Sequence, residues 1–179
     1  MRNVVIGIHG LGNKPPKEVL QSWWEQAIRE GARNHKIDLP DFEFELVFWT
    51  DILHPDLLDP RIPDPDNSLY LEDPYVPAMY TRGMTSHKLR MKVANYIERK
   101  IGNILLNSDF TLNYQSVTDN LIRRYFKDLE AYYSSTTPFG DSGIPVRDRI
   151  RGRLITALQK HQRDRILLIA HSMGSIICL

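Results

Sequence analysis

The stretch DRILLIAHSMG, residues 164–174, decides how this chain is read. Four large aliphatic residues, Ile166, Leu167, Leu168 and Ile169, run without a polar break. A short run that is apolar on both faces suits a strand inside a parallel sheet covered by helices. Ala170 and Gly174 then bracket a turn with little side-chain bulk, and MGSIICL continues as a helix start. Upstream, RDRIRGRLITALQK, residues 147–160, carries a helical pattern, so this half of the chain reads helix, strand, turn, helix.

The N-terminal half repeats the logic. NVVIGIH, residues 3–9, is β-branched and apolar on both faces, Gly10 and Gly12 mark a turn, and Pro15 with Pro16 leads into KEVLQSWWEQAIRE. There Val19, Trp23, Ala27 and Ile28 recur near helical spacing, and Gly31 is the expected stop. FEFELVFWT, residues 42–50, is a second strand candidate that begins alternating and becomes continuously apolar. Three buried strands joined through helices predict an α/β fold: a parallel sheet with helices on both faces.

Residues 51–146 differ in character. The segment 51–83 is rich in proline and aspartate and reads as an irregular excursion. Two helical stripes follow, Leu89, Val93, Ile97, Ile101 and Ile104, then Leu121, Tyr125, Leu129 and Tyr132. They predict a large, mainly helical cap inserted at 51–146 in one domain spanning 1–179. Lys88, Arg90, Lys92, Arg99 and Lys100 read as a solvated helix face rather than a polyanion site. Tyr125, Phe126, Tyr132 and Tyr133 suit either core packing within the cap or the lining of a substrate pocket.

A formal net charge of +1 gives no field for nucleic acid or an anionic membrane. No run reaches the roughly 18 apolar residues of a spanning helix, so no stable membrane insertion is expected. MRNVVIGIHG lacks the basic region and cleavage site of a signal peptide. Cys178 is the only cysteine, which rules out an internal disulfide and suits a reducing, cytoplasmic setting.

GIHGLGNK at 7–14 fails the phosphate-loop patterns. Gly7 and Gly12 have Walker spacing, but Asn13 stands where lysine is required, and Lys14 is followed by proline. The dinucleotide pattern from Gly10 would need glycine where Pro15 stands. Metal-site patterns fail as well. His9, His35, His54, His87, His161 and His171 include no pair at helical zinc-ligand spacing, and Asp64, Asp66 and Ser68 lack the glycine of a calcium loop, leaving turn capping as their use. No cofactor and no metal are expected. The same glycine turn can instead aim backbone N–H groups at a developing oxyanion, with Leu11 or Gly12 as donor. A plain strand-to-helix turn would use these glycines equally well.

In AHSMG, a serine on a tight strand-to-helix turn exposes its hydroxyl, small neighbours let strand and helix approach, and the next N–H faces the oxyanion. VVIGIHGLG together with LLIAHSMG resembles the α/β-hydrolase superfamily, in its esterase and lipase-like branch. Ala170 replaces the first glycine of the usual pattern and Gly174 keeps the second. The resemblance implies Ser172 as nucleophile, the N–H of Met173 as one oxyanion donor and that of Leu11 or Gly12 as the other. It also implies that strand 4–9 lies beside both strand 42–50 and strand 165–170, and it gives His9 and His171 local structural roles rather than that of general base.

In that family the acid and the histidine follow the serine, yet the seven residues after Ser172 contain no Asp, Glu or His. No spacing singles out an upstream acid such as Asp51 or Asp141. The expectation is therefore a partial α/β-hydrolase-like chain, truncated after the elbow and inactive alone, whose parent is a serine hydrolase. Its substrate would be a small-molecule ester or related acyl compound with an apolar part. The alternative is a non-catalytic scaffold or interaction domain on the same fold. An apolar, unpaired edge on the serine-bearing strand predicts self-association.

Overall fold

The computed structural model describes residues 1–77, 127–133 and 143–179. The stripe from Leu89 to Ile104, the basic residues around it, Leu121, Tyr125, Phe126 and Asp141 lie outside them, so the expected cap is represented only by its margins.

The described residues form a parallel three-stranded sheet flanked by helices. Strand β1 (Asn3–Ile8) lies in the middle, with β2 (Glu43–Val47) on one side and β3 (Arg165–Ala170) on the other. The registers run from Val4 opposite Glu43 to Ile8 opposite Val47, and from Asn3 opposite Arg165 to Ile8 opposite Ala170. The first strand thus has the two neighbours expected of it, and all three strands end together at one edge, where their following turns meet.

Both faces are covered because β1 is apolar in both directions. Val4, Ile6 and Ile8 pack with Val146, Ile150, Leu154 and Ala157 of helix α2 (Val146–Lys160) and with Met173 and Ile177 of the short helix α3 (Met173–Ile177). Val5 joins Phe44, Leu46 and helix α1 (Lys17–Asn34), which contributes Leu20, Trp23, Trp24 and Ile28. Gly7 makes room on this face. A Cβ there would come within 2.8 Å of the Phe44 ring and 2.9 Å of the Trp24 ring. Ala131 and Tyr132, in the helical segment 127–133, belong to the first cluster, while Tyr133 is exposed.

Two boundaries differ from the expected ones. Helix α1 passes through Gly31 and ends three residues later at Asn34. The stop is a Schellman closure: Lys36 takes the left-handed conformation at φ 54°, its N–H donates to Arg33 O at 3.1 Å, and Ile37 N–H donates to Ala32 O at 2.8 Å. Strand β2 ends at Val47 rather than 50, because Trp49 N–H leaves the ladder for His9 Nε2 at 3.0 Å and the chain turns into a 3-10 helix, Thr50–Ile52.

The two sheet edges are finished differently. On β2, the Gln21 side chain acts as a strand surrogate, donating to Phe44 O at 3.3 Å and accepting from Leu46 N–H at 3.2 Å, while Arg153 donates to Phe48 O at 2.6 Å. On β3, Leu167 is 58% exposed and Leu168 39%, with side chains on opposite faces of the strand. Among the described residues no helix is long and apolar enough to cross a membrane.

Candidate functional site

The site lies where β1 and β3 end. His171 N–H donates to Ile8 O at 3.0 Å, so the backbone stays tied to β1 up to the residue before the serine. Ser172 then adopts φ 54°, ψ −122°, outside the regions open to L-residues, and serves as the N-cap of α3. A non-glycine residue held so costs on the order of 1–3 kcal/mol, which the surrounding contacts must offset. Helix α3 begins at once, with Gly174 N–H on His171 O and Ser175 N–H on Ser172 O, both at 2.9 Å. Ser172 is left exposed at the apex.

Two glycines permit this turn. A Cβ at Gly174 would lie 2.5 Å from Ile8 O and 3.1 Å from His9 O, so α3 sits directly on the backbone of β1. A Cβ at Gly10 would lie 2.9 Å from Ser172 Cβ and 3.0 Å from His171 Nδ1. The turn after β1 therefore abuts the turn after β3, and the two halves of the sequence pattern meet in space.

His9 sets the direction of the first loop. It is buried, stacked on Trp49 with ring centroids 4.7 Å apart, and its Nε2 accepts Trp49 N–H. Nδ1 is then the protonated nitrogen and donates to Gly10 O at 2.9 Å. Because a trans peptide points its C=O and N–H in opposite directions, fixing Gly10 O also fixes Leu11 N–H, which is aimed away from His9. Burial lowers the His9 pKa to about 4, outweighing the support from Gly10, so the ring is neutral at ordinary pH. His9 thus shapes the loop, as expected.

Of the four site residues read from the sequence, Ser172 and Met173 share the turn, and Leu11 packs against the apolar cluster that includes Met173. Among the described residues neither Leu11 N–H nor Met173 N–H is engaged. Gly12 differs. At φ 82° it uses its conformational freedom, but its N–H donates to Asp128 Oδ2 at 2.8 Å and its C=O accepts from Thr50 Oγ1 at 3.1 Å. Asp128 also pairs with His54, whose Nε2 lies 3.0 Å from Oδ1 and 3.2 Å from Oδ2. Sequence reasoning missed Asp128 and His54. Neither lies near Gly12 in the chain, and neither sits in a motif.

Other candidates resolve into structural groups. Asp51 is ion-paired with Arg153 at 2.5 Å. His171 is exposed on the turn itself. Asp64 caps a turn, accepting Asp66 N–H at 3.0 Å. Burial raises the Cys178 pKa, which keeps it a thiol and a poor nucleophile. At the opposite end of the strands, Glu43, Glu45 and His161 bring potential metal-ligand atoms within 4.8 Å of one another. Lys160 lies 2.6 Å from Glu45 and Arg2 2.8 Å from Glu43, so protein cations already balance those carboxylates. A cavity of about 720 Å³ opens along the outer edge of β2, lined by Lys17, Phe48, Asp51 and Arg153 among others, and does not include Ser172. Asp51 and Arg153 in its wall are paired with each other, whereas Ser172 is exposed on a turn of enforced backbone geometry.

Comparison with protein-family models, with curated proteins and with solved structures finds no match.

Proposed function

We propose that the chain carries the nucleophile turn and oxyanion loop of a serine hydrolase of the α/β-hydrolase kind, acting on a carboxylic ester or related acyl substrate. The observation that carries this reading is Ser172 at φ 54°, ψ −122° between a parallel strand and a helix, with Gly10 of the neighbouring turn against it. Strain of this kind persists where the exposed side chain must point out of the turn. Ser172 Oγ, its proton taken by a general base, attacks the carbonyl; the N–H groups of Met173 and Leu11 hold the oxyanion, the ester C–O bond breaks as the leaving group takes that proton, and water then cleaves the acyl-serine to acid and free serine. With Gly12 N–H committed to Asp128, Leu11 is the second donor. Residues 51–146 form the cap in this reading, a substrate with an apolar part is favoured, and Cys178 as sole cysteine suits the cytoplasm.

The test is covalent labelling by a fluorophosphonate of the protein made from its complete coding sequence. An adduct on Ser172, absent in Ser172→Ala, is expected; an unlabelled protein, or an adduct elsewhere, would remove the reading. A second reading, an interaction domain that uses the fold without catalysis, is favoured by β3, which is an edge strand among the described residues and exposes Leu167 and Leu168. A second copy of the chain is the partner proposed for that edge.

A further inference from the structure

The structure assigns to Asp128, together with His54, the role of a positioning pair that fixes the oxyanion loop. This rests on the serine hydrolase reading of Ser172. Asp128 is 3% exposed, and a carboxylate so enclosed is tolerated only when its oxygens receive donors. It has two. Gly12 N–H reaches Oδ2 at 2.8 Å, and His54 Nε2 lies 3.0 Å from Oδ1. Neither contact is local in the chain, Gly12 being 116 residues from Asp128 and His54 being 74.

The consequence falls on Leu11. The Leu11–Gly12 peptide is held at both ends, its N–H by Asp128 and its C=O by Lys14 Nζ at 2.5 Å. The peptide before it is held through Gly10 O by His9. With both peptides around Leu11 fixed, the direction of Leu11 N–H has no soft torsion left. Thr50 Oγ1 holds Gly12 O from the turn after β2, and His54 N–H donates to Thr50 O at 2.8 Å in that same turn. Asp128 thus links three pieces of chain: the loop after β1, the turn after β2 and the helical segment 127–133. It does not touch the reacting atoms. Its contribution is that the oxyanion donor is set before substrate arrives.

The experiment measures fluorophosphonate inactivation of the complete protein, resolved into kinact and KI, for wild type, Asp128→Ala, Asp128→Asn, His54→Ala and His54→Gln. Asp128→Ala lowers kinact about tenfold or more with KI little changed, since misplacing one donor affects the charged state rather than binding. Asp128→Asn, whose amide oxygen still accepts Gly12 N–H, recovers most of the rate. His54→Ala is intermediate, and His54→Gln, which keeps a donor, is restored. Should Asp128→Ala not fold, the two His54 variants decide. Folded Asp128→Ala and His54→Ala variants that react at the wild-type kinact would overturn the proposal. Amide exchange at Gly12 reads the same contact without chemistry: faster exchange in Asp128→Ala is expected, and an unchanged rate counts against it. A wild type that resists labelling defeats the reading of Ser172 instead, while the exchange result still reports on the Asp128 contact.

Discussion

Replacing Gly174 by alanine sets two physical effects against each other, and the structure gives the sign. Alanine is favoured over glycine inside a helix by about 1 kcal/mol, so propensity alone predicts a more stable protein. The added Cβ, however, would sit 2.5 Å from Ile8 O, roughly 0.8 Å short of an ordinary C···O contact of about 3.3 Å. Neither atom can swing away. Ile8 lies in β1, paired on both sides, and its C=O accepts His171 N–H. Separating α3 from β1 costs about 1–3 kcal/mol for overpacking plus about 1 kcal/mol for the weakened His171 bond. The balance is a loss of about 2 kcal/mol, or a fall of roughly 4–8 °C in melting temperature for a protein of this size. Urea denaturation with Gly31→Ala and Gly152→Ala as controls isolates the effect. A Cβ at either control meets nothing within 4 Å, and both lie within helices, so both should be neutral or stabilising by up to about 1 kcal/mol. If Gly174→Ala is as stable as the controls, the close approach of α3 to β1 is wrong, and with it the reason for a glycine two residues after the serine.

Three further outcomes are expected. The His9 pKa of about 4 lies below the ordinary 6.5, so the unfolded chain takes up the proton first as pH falls. The neutral ring's contribution is then whole above about pH 6.5, declines towards pH 4 and is gone below it, a swing of about 3 kcal/mol. His9→Phe should flatten that part of the stability profile, and an unchanged slope would assign it elsewhere. Gln21→Leu removes both bonds to the β2 edge and should cost about 1 kcal/mol while speeding amide exchange at Leu46; unaltered exchange would show that Gln21 does not close the edge. Light scattering on the 179-residue chain should find association that Leu167→Glu abolishes, whereas a wild-type monomer at high concentration would retire the β3 edge as a contact surface.

What the sequence revealed is what is local or periodic. Val4 to Ile8 show their burial, and Ile166 to Ile169 their strand, through composition alone, so three parallel strands were legible, as was the helix before β3, although Leu167 and Leu168 are exposed. Its limits are instructive. Gly31 looked like a stop, but a glycine fits inside a helix, and the closure fell to Lys36, a residue no propensity would choose. The strand read through Trp49 and Thr50 stopped at Val47, because a histidine 40 residues away took the Trp49 N–H. The site divides the same way. Ser172, Gly174 and Gly10 were readable because a tight turn and a close backbone approach demand particular residue types at those positions. Asp128 and His54 were not, because any well-placed carboxylate could accept the Gly12 N–H, and position is a property of the fold.

That asymmetry bears on how the site works. The turn at Ser172 depends on contacts between two adjacent strands, so it forms whenever β1 and β3 pair. The loop that would receive the oxyanion depends additionally on Asp128, which arrives from the segment 127–133, and on His54 after β2. The serine's geometry and the donor's geometry are therefore separable. Losing Asp128 should leave Ser172 strained and exposed as before while Leu11 N–H loses its fixed direction.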